Sequence, residues 1–224
     1  RYVMSKTIYY ADVYSLNSKL IKQSSLIDSK YVYQKCPAFV HKNERIFVGT
    51  SPVDLDFSIE RTPEGPLMQI SDMSKTDYID IDNEHIYSPQ PVFQLYIPKF
   101  LFWTESDDIW IEQNDHPMTS LNNNIIAVPA WFNLSNWSRT VSVAFTIVNE
   151  HKPVIIKKGD PLFRISFYSD NLNDNFKLEE KKYRNEYKDV VENHLYQRRE
   201  SDGYKTKLFS KTSKTGKCPF SFLF

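Results

Sequence analysis

Apolar and polar residues alternate through much of residues 1–170, the two-residue period of half-buried strands. Thr7-Ile8-Tyr9-Tyr10, Tyr31-Val32-Tyr33, Arg45-Ile46-Phe47-Val48-Gly49 and Phe57-Ser58-Ile59 are short β-branched and aromatic runs that predict strands. Thr62-Pro63-Glu64-Gly65-Pro66 and Asn114-Asp115-His116-Pro117 predict turns. Phe93-Gln94-Leu95-Tyr96-Ile97-Pro98 predicts a strand stopped by its proline. Phe100-Leu101-Phe102-Trp103 and Ile109-Trp110-Ile111 flank a polar connector of hairpin length, residues 104–108. From Ile125 to Phe167 the strand runs recur about every ten residues, the cadence of a sandwich or barrel.

The period changes after Asp170. Asn171-Leu172-Asn173-Asp174-Asn175 supplies capping residues, and residues 176–200 predict a charged helix. Tyr183, Tyr187, Val190, Val191 and Leu195 form its apolar stripe, which packs on the parent domain or a sister subunit. Residues 201–217 are rich in Lys, Ser and Thr and read as a tether. Pro219-Phe220-Ser221-Phe222-Leu223-Phe224 is an apolar tail expected to dock on this chain or a partner. The expected organisation is a β domain over 1–170, an amphipathic helix over 171–200, and a tether and tail over 201–224.

Composition narrows the function classes. Lys plus Arg and Asp plus Glu are 28 each, so the formal net charge is zero and the chain has no bulk pull on nucleic acid or anionic membrane. No apolar run approaches membrane-spanning length and no charged-then-apolar leader is present, so no membrane partner is expected. The expected location is cytoplasmic. With only 5 glycines the chain has no glycine-rich phosphate cradle. Cys36 and Cys218 both precede proline; they read as small buried hydrophobes in a reducing compartment, with a disulfide between them as the alternative.

Metal chemistry finds no pattern. Asp72, Asp77, Asp80, Asp82 and Glu84 lack the spacing of a calcium loop and alternate with Ile79 and Ile81, as on a solvated strand edge. His116 and His151 have no ligand spacing to another His, Cys or Glu. No metal and no cofactor is expected.

One stretch carries a resemblance. Val141 to Asn149 reads as a strand ending in Asn, and Lys157-Lys158-Gly159-Asp160 is a tight turn opening the strand Leu162-Phe163-Arg164-Ile165-Ser166-Phe167. Over residues 122–170 this resembles the dUTPase and dCTP deaminase superfamily. The resemblance implies a β-clip fold, a trimer and a deoxyuridine or deoxycytidine nucleotide ligand. It also implies an acidic residue a few positions before the Arg that precedes the long strand. That Arg would be Arg139, and the preceding positions hold Ser135, Asn136, Trp137 and Ser138. Serine cannot replace a carboxylate that polarises water or orients a sugar. The Gly-Arg-Ser-Ser phosphate motif and the glycine-rich C-terminal arm are missing too. The chain as a whole resembles proteins of tailed phages, with host cytoplasm or virion as the corresponding location.

The aromatic segment before Arg139 is the candidate site. Trp131, Asn133, Asn136, Trp137 and Arg139, with Asp160, could form a planar pocket for a base or a sugar. The competing reading is an aromatic turn that plugs the core, its amides satisfying loop backbone; that reading is preferred. The expected fold is therefore mainly β, a distorted sandwich or barrel of β-clip type with a C-terminal helix and extended tail. The expected function is non-catalytic binding or assembly, with a homo-oligomer or larger protein assembly formed through the C-terminal helix and tail. A nucleotide-binding or nucleotide-hydrolysing protein is the alternative. An oxygenase on a double-stranded β-helix would need a metal triad, and the chain lacks one.

Overall fold

Residues 5–26, 35–81 and 92–187 are described by a computed structural model. The first strands along the chain are β1 (Ser5–Asp12), β2 (Leu20–Lys22) and β3 (Ile46–Thr50), with helix α1 (Pro37–Asn43) before β3. A hairpin of β4 (Leu55–Thr62) and β5 (Gly65–Ile70) leads through a 3-10 turn to β6 (Ile79–Ile81). Then come β7 (Val92–Trp103), β8 (Trp110–Asp115), helix α2 (Pro117–Asn123), β9 (Ile125–Ala127) and β10 (Ala130–Asn133). The last strands are β11 (Arg139–Ile147), β12 (Val154–Ile156), β13 (Pro161–Tyr168) and β14 (Asn175–Glu180).

These strands make three sheets. The large sheet runs β14-β1-β7-β11-β9 with β6 also on β7, the middle sheet β10-β8-β13-β3-β2, and the small sheet β12-β4-β5. The architecture is mainly β, as expected, with curled sheets forming a half-barrel. One continuous core lies between the sheets: Phe57, Phe93, Phe100, Phe102, Phe145, Phe163 and Phe167 are all buried in it. Phe93 stacks on Phe145 at 5.7 Å and meets Phe57 edge-on at 5.2 Å, joining the large and small sheets.

Local sequence explains most of these elements. In β11, Val141, Val143, Phe145 and Ile147 point inward while Ser142, Ala144 and Thr146 are only half buried. Gly159 adopts φ +93 in the turn before β13. That turn is clamped to the chain before β4: Gly159 N–H donates to Ser51 O at 2.8 Å and Lys158 N–H to Asp54 Oδ1 at 2.7 Å. Gly49 is required by close packing, because a Cβ there would sit 2.3 Å from the buried Phe163 ring.

Several expectations are corrected. β7 does not stop at Pro98 but continues to Trp103, through a cis Ile97–Pro98 bond. The proline is tolerated because the ladders break there. β6 pairs with residues 93–95, β1 with 100–103, and the β11 register jumps between Val141 and Val143. Its missing N–H therefore removes no ladder bond. Residues 104–108 are not a hairpin loop, since β7 and β8 lie in different sheets. They turn a corner, with Thr104 Oγ1 donating to Thr7 O at 2.8 Å and Ser135 Oγ to Ser106 O at 2.6 Å.

The predicted helix start at 176 is also wrong: residues 175–180 form β14, paired in parallel with β1. Phe176 is buried and its neighbours Asn175 and Lys177 are exposed, a two-residue period that the longer tyrosine spacing masked. Helical structure begins only at 185–187. Tyr187 does pack on the parent domain, its ring 5.5 Å from buried Trp103, and Tyr183 meets it edge-on at 5.9 Å. Cys36 is exposed at the N-cap of α1 rather than buried. Cys218, Tyr31-Val32-Tyr33, the rest of the helix and the tail lie outside the described residues.

Candidate functional site

Alternation in the middle sheet sends Phe132, Ile111, Phe163, Ile165 and Phe167 into the core and the residues between them to the outer face. Strand register lays those outer residues in rows. Trp131 of β10 faces Glu112 of β8, which faces Ser166 of β13. The next row is Asn133, Trp110 and Tyr168; on the other side Asn114 faces Arg164. Directly opposed side chains on one face interact, and diagonal ones do so here as well. Trp131 stacks on Trp110 with centroids 4.8 Å apart and planes 28° from parallel. Tyr168 OH donates to Glu112 Oε2 at 2.7 Å. From α1, Lys42 Nζ donates to Tyr168 OH at 2.5 Å and lies 4.9 Å from that ring.

Trp131 is 60% exposed, although a tryptophan on a sheet face would ordinarily be covered. Trp110 is half buried and fixed from behind, its Nε1–H donating to Asp108 Oδ1 at 3.1 Å. Burial alone would raise the Glu112 carboxyl. The hydrogen bonds from Tyr168 and Asn114 and the charges of Lys42 and Arg164 outweigh it and hold that carboxyl below the usual range. Arg164 is anchored by Nε donating to Asp115 O at 2.7 Å. The face is therefore an indole platform beside an ionised acceptor, a phenol and two cations.

The other candidate residues fall in different places. Trp137 is buried, with Phe132 edge-on at 5.3 Å and the Arg139 guanidinium 4.0 Å above its ring. Asn133 and Asn136 are buried as well, and Asn136 N–H donates to Asn133 Oδ1 at 3.1 Å. Asn133 Nδ2 donates to Asp108 Oδ1 at 3.3 Å, so Asp108 ties the asparagines to Trp110. Asp160 makes its contacts elsewhere. Its Oδ2 accepts from Asn123 Nδ2 and from Lys157 N–H, each at 2.8 Å.

No family model matches the chain, and neither does any curated protein. Among solved structures it is similar to a mutant dUTPase from phage phi11 of S. aureus, described for its structural Mg(II) ion. The two share 5% identity at a TM-score of 0.33, over 68% of this chain and 90% of that one. The likeness is one of weak structural resemblance.

A concave region lies where β14 meets the loop after β1. It is a cleft of about 440 Å³ lined by Asp12, Ser15, Asn17, Glu180, Lys181, Lys182 and Tyr183. Asp12 holds that loop, its carboxylate accepting from Ser18 N–H at 2.8 Å and Tyr14 N–H at 3.3 Å across left-handed Ser15 and Asn17. Tyr10 OH donates to Glu180 Oε2 at 3.3 Å. Burial first, then the Glu180 carboxylate, push the Tyr10 phenol up to about 12. These groups serve the loop and the β1–β14 edge.

Elsewhere, Asp72 caps the 3-10 turn and Asp80 accepts from Tyr96 OH at 2.8 Å. Among the described residues no three His, Cys, Asp or Glu side chains gather as a metal site would need.

Sequence reasoning singled out Trp131 but missed Trp110, Glu112, Tyr168, Arg164 and Lys42. Two signals were present: the spacing Trp110-x-Glu112-x-Asn114 and Arg164-x-Ser166-x-Tyr168, each polar or amphipathic at alternate positions. What joins them is strand register, which no single segment records.

Proposed function

We propose that the chain is a non-catalytic binding protein whose recognition surface is the outer face of the middle sheet. The exposed Trp131, stacked on Trp110 and flanked by Glu112, Tyr168 and Lys42, is the observation that carries this. Large aromatic side chains held on a rigid sheet face are the residues that recognition surfaces use. Glu112 is held ionised and already bonded, the setting of a fixed acceptor and not of a proton donor. The nucleotide reading competes in the same test; of its four residues Trp131 lies on this face, while Trp137 is buried and Asp160 makes its contacts elsewhere. Assembly is part of the proposal too, with sister subunits or a larger assembly engaged through the C-terminal residues.

A thermal-shift panel of oligosaccharides and deoxynucleotides, run on the wild type and Trp131→Ala, tests the binding surface. At a hundredfold excess over Kd a ligand adds about 2.7 kcal/mol to stability. The expected result is a compound that raises the wild-type melting temperature and leaves the variant unmoved. A panel in which both proteins respond identically would refute the surface. For assembly, light scattering with and without residues 201–224 should show loss of the oligomer; an unchanged monomer in both counts against it.

A further inference from the structure

We infer that the free edge of β5 receives an extended, lysine-bearing peptide of a partner protein as an added strand. This surface belongs to the small sheet and does not depend on the recognition face of the middle sheet. The first argument is hydrogen bonding. Among the described residues β5 is the last strand of its sheet and pairs with β4 alone. Ser71 N–H donates to Asp56 O at 2.9 Å. Bonded and non-bonded pairs alternate along an antiparallel ladder, so Ser58–Gln69 and Glu60–Leu67 are the next bonded pairs. Pro66, which has no N–H, falls in a non-bonded pair, as this phase requires. The main-chain N–H and C=O groups of Met68 and Ile70 therefore point away from β4, where an incoming strand can pair with them.

The second argument is that this edge is rigid and bounded. The Met68 and Ile70 side chains pack against the core, so the edge loses little freedom on binding. Leu67 and Gln69 lie on the other side of the strand and are exposed, Leu67 by 51%. Pro66 closes the edge at one end, since an added strand finds no donor there. The 3-10 turn of residues 73–78 closes it at the other. The docking stretch is thus Pro66–Ile70, roughly 17 Å of strand, which a peptide of about five to seven residues fills. The same proline blocks the addition of a longer sheet.

The third argument is charge complementarity. The chain as a whole is neutral, yet residues 54–77 carry six acidic residues against Arg61 and Lys75. Glu64 lies in the turn between β4 and β5, and Asp72 and Asp77 follow the far end of β5, so both ends of the edge are acidic. Lys75 Nζ already lies 3.2 Å from Asp72 Oδ2. Lysine at each end of the peptide complements these acids, with an apolar residue beside Leu67. The six-residue edge strand β14 lacks this excess, because Lys177 and Lys181 hold Glu179 there at 3.0 and 3.6 Å.

The test is fluorescence polarisation of the full chain with dye-labelled peptides of about seven residues, alternating valine and threonine with lysine or glutamate at both ends. Two further probes keep the lysines and are N-methylated on one or the other alternate set of amides. The lysine-ended peptide should bind, and the glutamate-ended one should bind about fivefold more weakly or worse. Methylation of one set of amides should abolish binding while the other set leaves it, because only one side of an added strand faces β5. Leu67→Lys and Glu64→Lys should each weaken binding about two- to fivefold at unchanged thermal midpoints, and added salt should weaken it too. No binding of the lysine-ended peptide at millimolar concentration would refute the inference. Equal binding of both methylated probes would also refute it, leaving charge attraction alone. Binding unchanged in both variants would place the peptide elsewhere and overturn the assignment to β5.

Discussion

On the inner face of the middle sheet, Phe132, Ile111, Phe163, Ile165 and Phe167 are buried against the large sheet. On its outer face the intervening residues include Trp131, Trp110, Glu112, Arg164 and Tyr168, half buried or exposed, beside the buried Asn133 and Ser166. The backbone is the same and only the parity differs. One parity was filled with rings that close a core; the other holds rings and charges fixed in place but left reachable. The difference teaches where to look for function in a chain without a catalytic motif. Aromatic side chains that complete packing carry stability, while an aromatic held rigid with much of its surface exposed is placed for recognition.

The largest effect is expected at the inner face. Phe167→Ala removes a ring packed between Phe47, Phe102 and Phe176 and should cost about 3–5 kcal/mol, read as a lower urea midpoint at unchanged slope. A loss near zero would show that the inner face is not the structural one. Gly49→Ala overpacks the same layer against Phe163, and about 1–3 kcal/mol of destabilisation is expected from the same denaturation curves.

A smaller effect sits where β8 ends. His116 caps α2, its Nδ1 accepting from Met118 N–H at 3.3 Å. Burial, then the nearby Arg164 charge, push its pKa below the ordinary 6.5. A depressed folded pKa means that the unfolded chain binds the proton first. The contribution is therefore intact above about pH 6.5 and is lost as pH falls through the lower folded value. His116→Asn keeps a capping acceptor without titrating, and should flatten that acid-side loss. Stability measured from pH 7 downward checks this; parallel curves for variant and wild type would contradict it.

Smallest of all is Glu112→Gln on the outer face, a half-exposed site screened by solvent. Its stability should change by less than about 0.5 kcal/mol, seen as coincident thermal melts. A large loss would make Glu112 a structural residue and sharpen the comparison against recognition.

Much of the fold was legible in the sequence, and the reasons are local. Val141 to Ile147 announces its strand by alternation, and Lys157 to Asp160 announces its turn through one glycine. The failures share a cause. Pro98 looked like a strand end because its tolerance depends on two neighbours ceasing to pair at the same place. Phe176 looked helical because Tyr183 and Tyr187 extend a helical spacing, whereas pairing with β1 decides the state of residues 175–180.

The site was legible by halves. Trp131 stood out as a cluster member, but its working neighbours come from residues 110–112, 164–168 and α1. They are brought together by register alone. Trp137, its sequence neighbour, faces the other way and is buried.

The most direct test of that division is a pair of matched measurements on Trp131→Ala: the thermal shift given by the panel of oligosaccharides and deoxynucleotides, and the urea midpoint. The ligand-induced shift should be lost while stability falls by no more than about 1 kcal/mol, the worth of the Trp110 stack. A ligand-induced shift equal to that of the wild type, or a stability loss as large as that of Phe167→Ala, would contradict that division of roles.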